Sequence, residues 1–207
     1  MPDIPSPDPR ERILDAAERA FAGQGLAGAR VAAIAADAGV NKAMLYYYFG
    51  SKERLFDAVL GRVATAIEGL VQASFQSAEL APELRIRAFM EGYRTLILTN
   101  PTVVRVVVWD VLDGGHHLIR VASKVFQKVI PPIWQACLEG QAAGTIRRDI
   151  DSRFILPTLV APYLLFAIAS GFVGENLGLS IEAVGASFQH TALTLSLEGL
   201  LARKETP

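Results

Sequence analysis

Apolar positions recur with the period of a helix from Arg10 almost to the end of the chain. Ile13, Ala17, Ala20 and Phe21 share one face, and Gly23 and Gly25 are placed to close that first element. Val31, Ile34, Ala35 and Ala38 fall at i, i+3, i+4 and i+7, a short amphipathic helix ended by Gly39. Asn41 is a good N-cap for a third helix from Lys42 to about Phe49. Gly50-Ser51 then breaks the chain before a longer helix over 51–75, whose buried face carries Phe56, Val59, Leu60, Val63, Ile67, Leu70 and Val71. Beyond Pro82 the pattern predicts helices over 82–99 and 101–113, two more within 116–143 that Pro131-Pro132 kink or divide, and a last pair over 152–176 and 181–203. Asp151 and Ser180 are the expected N-caps of that pair. Val103–Val108 scores as a strand by propensity, but its place after Asn100-Pro101 and before more helical pattern makes it helix. The expectation is an all-α chain of about nine helices, without internal repeats or low-complexity tracts.

Composition narrows the class. The 207 residues are 51% hydrophobic and 20% charged, which excludes a disordered tail. The first nine residues hold four prolines and read as a flexible arm, residues 1–9. A net charge of -1 excludes a polybasic nucleic-acid coat, so any such binding must come from a local patch. A single cysteine, Cys137, cannot form an internal disulfide, and the first thirty residues carry no signal-peptide pattern; the expected compartment is a reducing cytoplasm. The charge-free run Phe154–Val173 is long enough to cross a bilayer, yet Pro157 and Pro162 interrupt it and no Lys/Arg cluster follows. A deeply buried or interfacial helix has the same composition, and no membrane partner is expected.

The chemistry sits in Val31–Lys52. Two short helices are joined by a tight turn in which Gly39 supplies a positive φ. Successive residues on a helix lie about 100° apart, so Tyr46, Tyr47 and Tyr48 cannot all point inward. Leu45 and Phe49 define the buried side, with Tyr48 expected beside them as packing. Ala43 and Tyr47 then centre the outer face, with Lys42, Met44 and Tyr46 around them. That is a poor solvent face and a good one for a major groove. Lysine donates to guanine, apolar groups pack against the thymine methyl, and tyrosine hydroxyls reach phosphates. Lys52 and Arg30 add cations at the starts of the flanking helices. From Arg10 to Arg62 eight Lys/Arg face six Asp/Glu, a local balance of +2 against -3 elsewhere.

Residues 10 to 57 resemble the DNA-binding region of the TetR (tetracycline-repressor-like) family of bacterial transcriptional regulators. The resemblance rests on Ile13-Leu14, Ala16-Ala17, Phe21, Gly25, Ile34-Ala35, Ala38-Gly39-Val40, Leu45-Tyr46, Phe49 and Lys52 with Leu55 in order. It implies a three-helix helix-turn-helix domain, residues 10–55, followed by a helical-bundle domain, residues 56–207, for effector binding and dimerisation. Carried over by position, Lys42, Ala43, Met44 and Tyr47 face bases and Tyr46 and Lys52 clamp phosphates; Arg30 and Asn41, from their places at the starts of the second and third helices, complete the expected DNA-binding set. Two positions depart from the family: Arg30 stands where it usually has a threonine N-cap, and Met44 where its third helix usually has threonine.

The C-terminal part is less specific. Phe89, Tyr93, Arg105, Trp109, His116, Phe126, Trp134, Tyr163 and Phe166 are candidates to line an effector pocket, Trp109 and Tyr163 foremost. His116-His117 diverge on a helix and lack a third ligand at i+3 or i+4, so no metal is expected. By resemblance the last two helices form a four-helix interface with a partner chain, through Phe154, Leu165, Val184, Phe188 and Leu195. No nucleophile elbow, phosphate loop or carboxylate pair suggests an enzyme, and no cofactor is implied. The expected function is that of a homodimeric regulator of double-stranded operator DNA, a repressor released by a small, partly apolar effector. Activation, effector-independent regulation and a membrane-associated helical protein are the alternatives.

Overall fold

The computed structural model describes residues 8–76, 79–178 and 180–201, with backbone alone at 122, 124, 125, 167, 170, 171, 181–184, 186, 189, 190 and 193. The described residues form α1 (Pro9–Gly28), α2 (Val31–Asp37), α3 (Lys42–Phe49), α4 (Lys52–Phe75), α5 (Pro82–Thr99), α6 (Pro101–Leu112), α7 (His116–Ala143), α8 (Ser152–Leu177) and α9 (Ile181–Leu200). They contain no strand beyond an isolated antiparallel bridge between Ile146 and Leu201. The all-α expectation holds, and Val103–Val108 is helix.

The chain divides into two compact units, with the breaks inside α4 (Ala64/Thr65), at Pro101/Thr102, and inside α7 (Ser123/Lys124). The first unit takes in Thr102–Ser123, so it extends beyond the expected boundary at residue 55. Its core explains why. Ile13, Phe21, Ile34, Leu45, Leu55, Phe56, Val59 and Leu60 pack together, and Val106 of α6 is fully buried among them. The Phe21 and Phe56 rings meet edge to face at 4.9 Å. Trp109 of α6 donates its indole N–H to the Ala22 carbonyl at 3.1 Å. Asp57 of α4 holds the first turn of α7 through His117 Nδ1 at 2.6 Å and Arg120 at 2.7 Å. Trp109, Arg105 and His116 therefore belong to the first unit, and Arg105 and His116 are exposed there.

Element ends follow local chemistry. Asp8 caps α1, accepting from Arg10 N at 2.9 Å, with Pro9 in the first turn, so the last two residues of the expected arm 1–9 belong to this helix and its cap, and the rest of the arm lies outside the described residues. Of the two glycines expected to close α1, only Gly25 breaks it, at φ 65° and ψ 179°. Gly23 lies within the helix, and α1 resumes to Gly28 beyond the kink. Within the second unit, which holds Thr65–Pro101 and the chain from Lys124, α7 runs through Pro131-Pro132. The prolines interrupt hydrogen bonding at two residues and do not divide α7 into separate helices. α8 likewise contains Pro157 and Pro162, and Asp151 caps it, accepting from Arg153 N at 3.0 Å. The half-buried carboxylate of Glu139 on α7 pairs with the buried Arg85 of α5. Among the described residues no single helix is long and apolar enough to cross a membrane.

Candidate nucleic-acid interface

The helix-turn-helix is assembled by short-range bonds. Arg30 precedes α2 without a side-chain cap, so the threonine cap usual at that position has no counterpart here. After α2, Gly39 at φ 65° lets the chain reverse, and Val40 N returns to the Ala35 carbonyl at 2.9 Å. Asn41 Oδ1 then accepts from Met44 N at 2.8 Å, satisfying one of the amides at the start of α3. Gly50 at φ 77° ends α3, and Ser51 Oγ accepts from Arg54 N at 3.2 Å to start α4.

Leu45 and Phe49 are the buried positions of α3, and they fix its rotation. Lys42, Ala43, Met44, Tyr46 and Tyr47 are consequently all exposed. Tyr47 is the extreme at 84% exposure, with Tyr46 at 47% and Met44 at 37%. Tyr48 is 38% exposed, so it is not the packed residue its neighbours suggested. Its ring leans edge-on against Tyr47 at 5.3 Å and tilts over Phe49 at 6.4 Å, bracing the outer tyrosine. Lys52 is half-buried with Nζ 3.2 Å from the Ala27 carbonyl, near the C-terminal end of α1, so its cation sits at the start of α4. Arg30 and Asn41 are exposed beside this face. Arg19 is held away in an ion pair with Asp37 at 2.8 Å, and Arg62 in a cluster with Glu11, Asp15 and Glu18.

The pocket candidates separate. In the second unit Phe89, Tyr93, Tyr163 and Phe166 are buried as a core ladder with Phe188: Phe89 stacks on Tyr93, Tyr93 meets Tyr163 edge-on at 6.0 Å, and Phe166 stacks on Phe188 at 4.0 Å. Burial raises the Tyr93 and Tyr163 phenols above their ordinary range. Phe126 and Trp134 alone of the nine line the larger apolar cavity, of about 560 Å³, with Ile130, Ile133, Cys137, Ser152, Arg153, Leu156, Pro157 and Val160. Trp134 donates to Ser152 Oγ at 2.9 Å, and Arg153 pairs with Asp151 at 2.6 Å. Burial pushes the Cys137 thiol up to about 11. The sequence does carry a signal for this wall, since Phe126, Ile130, Ile133, Trp134 and Cys137 follow helical spacing.

Two clefts run along α8 and α9. One, of about 470 Å³, joins Leu165 and Phe188; the other, of about 480 Å³, joins Phe154 and Leu195. Phe154, Leu165, Ile168 and Phe172 form an exposed apolar stripe on α8, and Leu195 is exposed on α9. The side chain of Val184 lies outside the described residues. The charge-free run is thus a helix with a core side, Ile155, Leu159, Tyr163 and Phe166, and an uncovered apolar side. Among the described residues no group of three His, Cys, Asp or Glu is arranged to hold a metal ion.

Comparison with known proteins bears on this geometry. Residues 13–59 match the model of the bacterial regulatory proteins of the tetR family, and residues 82–177 match that of the tetracyclin repressor-like C-terminal domain. The chain is 31% identical over 179 residues to the HTH-type transcriptional repressor NicS of Pseudomonas putida, covering 81% of this chain and 76% of that protein. It is 37% identical over 156 residues to the HTH-type transcriptional repressor SCO4008 of Streptomyces coelicolor, covering 73% and 74%. A TetR family transcription regulator from Marinobacter aquaeolei shares the fold at a TM-score of 0.72 and 17% identity, over 94% of this chain and 96% of that one. The chain belongs to the tetR family of bacterial regulatory proteins and is a DNA-binding transcriptional regulator, not an enzyme.

Proposed function

We propose that the protein is a homodimeric repressor that reads a palindromic operator through α3 and is released by a small, largely apolar effector. The observation that carries this reading is the outer face of α3, where Lys42, Ala43, Met44, Tyr46 and Tyr47 stand exposed around a helix anchored by Leu45 and Phe49. A helix presented this way fits the major groove, with Lys42, Ala43, Met44 and Tyr47 toward base edges. Tyr46, Lys52 and Arg30 reach phosphates and fix the register, and Asn41 holds the turn that sets the angle of α3. Repression is the role in the names of the two relatives above. Acting on DNA places the protein in the cytoplasm.

Dimerisation is supported by the uncovered stripe of Phe154, Leu165, Ile168 and Phe172 on α8 with Leu195 on α9. Obligate interfaces are apolar in this way, like a divided core. Two heads on a two-fold axis fit half-sites about 34 Å or somewhat more apart. The cavity beside Trp134 suits the effector: its wall is apolar, and among the described residues its one lining cation, Arg153, is already neutralised by Asp151. Loading it lowers operator affinity only because the ligand prefers a head separation that cannot grip DNA.

The test is selection of bound duplexes from a random pool by purified protein, with mass in solution by light scattering. A palindromic motif bound by a dimer is the expected result. A well-folded protein that recovers no motif would overturn the reading. Lys52→Ala should weaken binding to all sequences alike and reduce the slope of log affinity against log salt by about one.

A further inference from the structure

Direct readout assigns different chemistry to each base. Amides suit adenine, carboxylates cytosine, Arg or Lys guanine, and apolar groups the 5-methyl of thymine. The exposed face of α3 is narrow in these terms. The helix KAMLYYYF contains no amide, no carboxylate and no arginine. The nearest amide, Asn41, already uses its oxygen to cap Met44 N at 2.8 Å, which holds that amide at the turn and not on the groove-facing side of α3 as an adenine reader. The nearest carboxylate before it, Asp37, is bound to Arg19 through both Nε and the terminal nitrogen. What α3 offers a groove is one ammonium, Lys42, and the apolar surface of Ala43 and Met44 beside the phenol of Tyr47.

We propose that Met44 is a specificity-determining residue that reads thymine through its 5-methyl group, so that each half-site carries a required thymine contacted by the thioether. This rests on the operator reading above. Met44 suits the role better than Tyr47. At 37% exposure it is only partly open to solvent, and its unbranched chain adapts to a methyl. Tyr47, at 84% exposure and braced only by the edge of Tyr48, carries a hydroxyl at its tip that favours a polar partner.

The experiment uses the full-length protein and the duplex recovered from the random pool. Each thymine of the half-site is replaced singly by 2′-deoxyuridine, which removes the methyl and leaves base pairing intact. At one thymine per half-site the wild type should lose about fourfold in affinity, the worth of one buried methyl. Met44→Ala should bind the thymine and uracil duplexes equally, Met44→Leu should keep the preference, and Lys52→Ala should weaken both duplexes without changing their ratio. A recovered motif with no thymine-to-uracil loss anywhere overturns the inference while leaving the operator reading intact. A loss that persists in Met44→Ala also overturns it. Recovery of no motif overturns the operator reading itself and this inference with it.

Discussion

Gly23 and Gly25 stand two residues apart in α1, and the structure gives alanine at each an opposite sign. At Gly25 the backbone has φ 65° and ψ 179°, a region occupied almost only by glycine. Holding a residue with a side chain there costs about 1–3 kcal/mol. A Cβ at Gly25 would also lie 3.3 Å from two atoms of the Trp109 ring, which its hydrogen bond to Ala22 holds in place. Alanine gains about 0.4–1 kcal/mol by restricting the unfolded chain, which offsets only part of this. The net expectation for Gly25→Ala is a loss of about 1–2 kcal/mol. Gly23 lies in regular helix, and a Cβ there meets nothing within 4 Å. Gly23→Ala should stabilise by about 0.5–1 kcal/mol.

Urea unfolding can read the two changes in the first unit. Trp109 belongs to that unit and Trp134 to the other, so a Trp134→Phe background leaves Trp109 as the single indole reporter. A change of 1 kcal/mol moves the thermal midpoint of a chain this size by about 2–4 °C, which gives an independent check. Adding Trp109→Ala to Gly25→Ala, followed by circular dichroism, separates the ring contact from backbone strain: strain survives the truncation, the contact does not. If Gly25→Ala stabilises as Gly23→Ala does, the kink is not held by backbone geometry and the reasoning fails.

The remaining predictions concern single side chains. Burial alone would raise the Asp57 carboxyl, but hydrogen bonds from Arg120 and His117 hold it below its ordinary value. Its contribution is therefore present above about pH 4, the ordinary carboxylate range, and lost as pH falls through the lower folded value. Asp57→Asn should cost about 1–2 kcal/mol near neutrality, with the gap to wild type closing in acid; a gap independent of pH in urea titrations would assign the effect to packing. Asn41→Ala removes the cap on Met44 N and should lower stability by about 1 kcal/mol in thermal unfolding, whereas no change would mean water replaces the cap. With its thiol at about 11, Cys137 should alkylate slowly at mildly alkaline pH and much faster in denaturant; labelling at the rate of a free thiol would contradict its burial.

Local chemistry made the reading head legible. Asn41, Gly39, Gly50 and the prolines at 82 and 101 act within four residues of themselves, so their effects can be read along the chain. The face of α3 followed from one pair, Leu45 and Phe49, except at Tyr48, whose angle lies between the two sides. Contacts distant in sequence were not legible. Nothing near Trp109 announces that its N–H meets Ala22, 87 residues earlier, so an aromatic suited to a pocket became a strut of the first unit. Phe89, Tyr93 and Tyr163 pack into the core for a related reason: rings that can line a cavity can equally fill one, and α5, α8 and α9 bring these together, while Phe166 stacks on Phe188 and also lines the cleft of about 470 Å³. Gly23 and Gly25 are the same residue in the chemical sense, and only the tertiary path of α1 distinguishes them.

The charge pattern resolves how a chain of net charge -1 presents a DNA-binding face. Much of its positive charge is held in place by nearby carboxylates. Arg62 is bound by Glu11, Asp15 and Glu18; Arg19 by Asp37; Arg120 by Asp57; and Arg147 by Asp149. These pairs are mostly exposed and add little stability each, but every one offsets a cation that would otherwise add to non-specific attraction for anions. Among the described residues, Arg30 and Lys42 have no carboxylate partner, and Lys52 rests on a carbonyl that leaves its charge uncompensated. All three lie on the helix-turn-helix. These three cations stand beside the exposed α3 face, although Arg87 and Arg105 elsewhere have no carboxylate partner either and Arg148 also rests on carbonyls, so a near-neutral total still leaves uncompensated positive charge next to the helix-turn-helix.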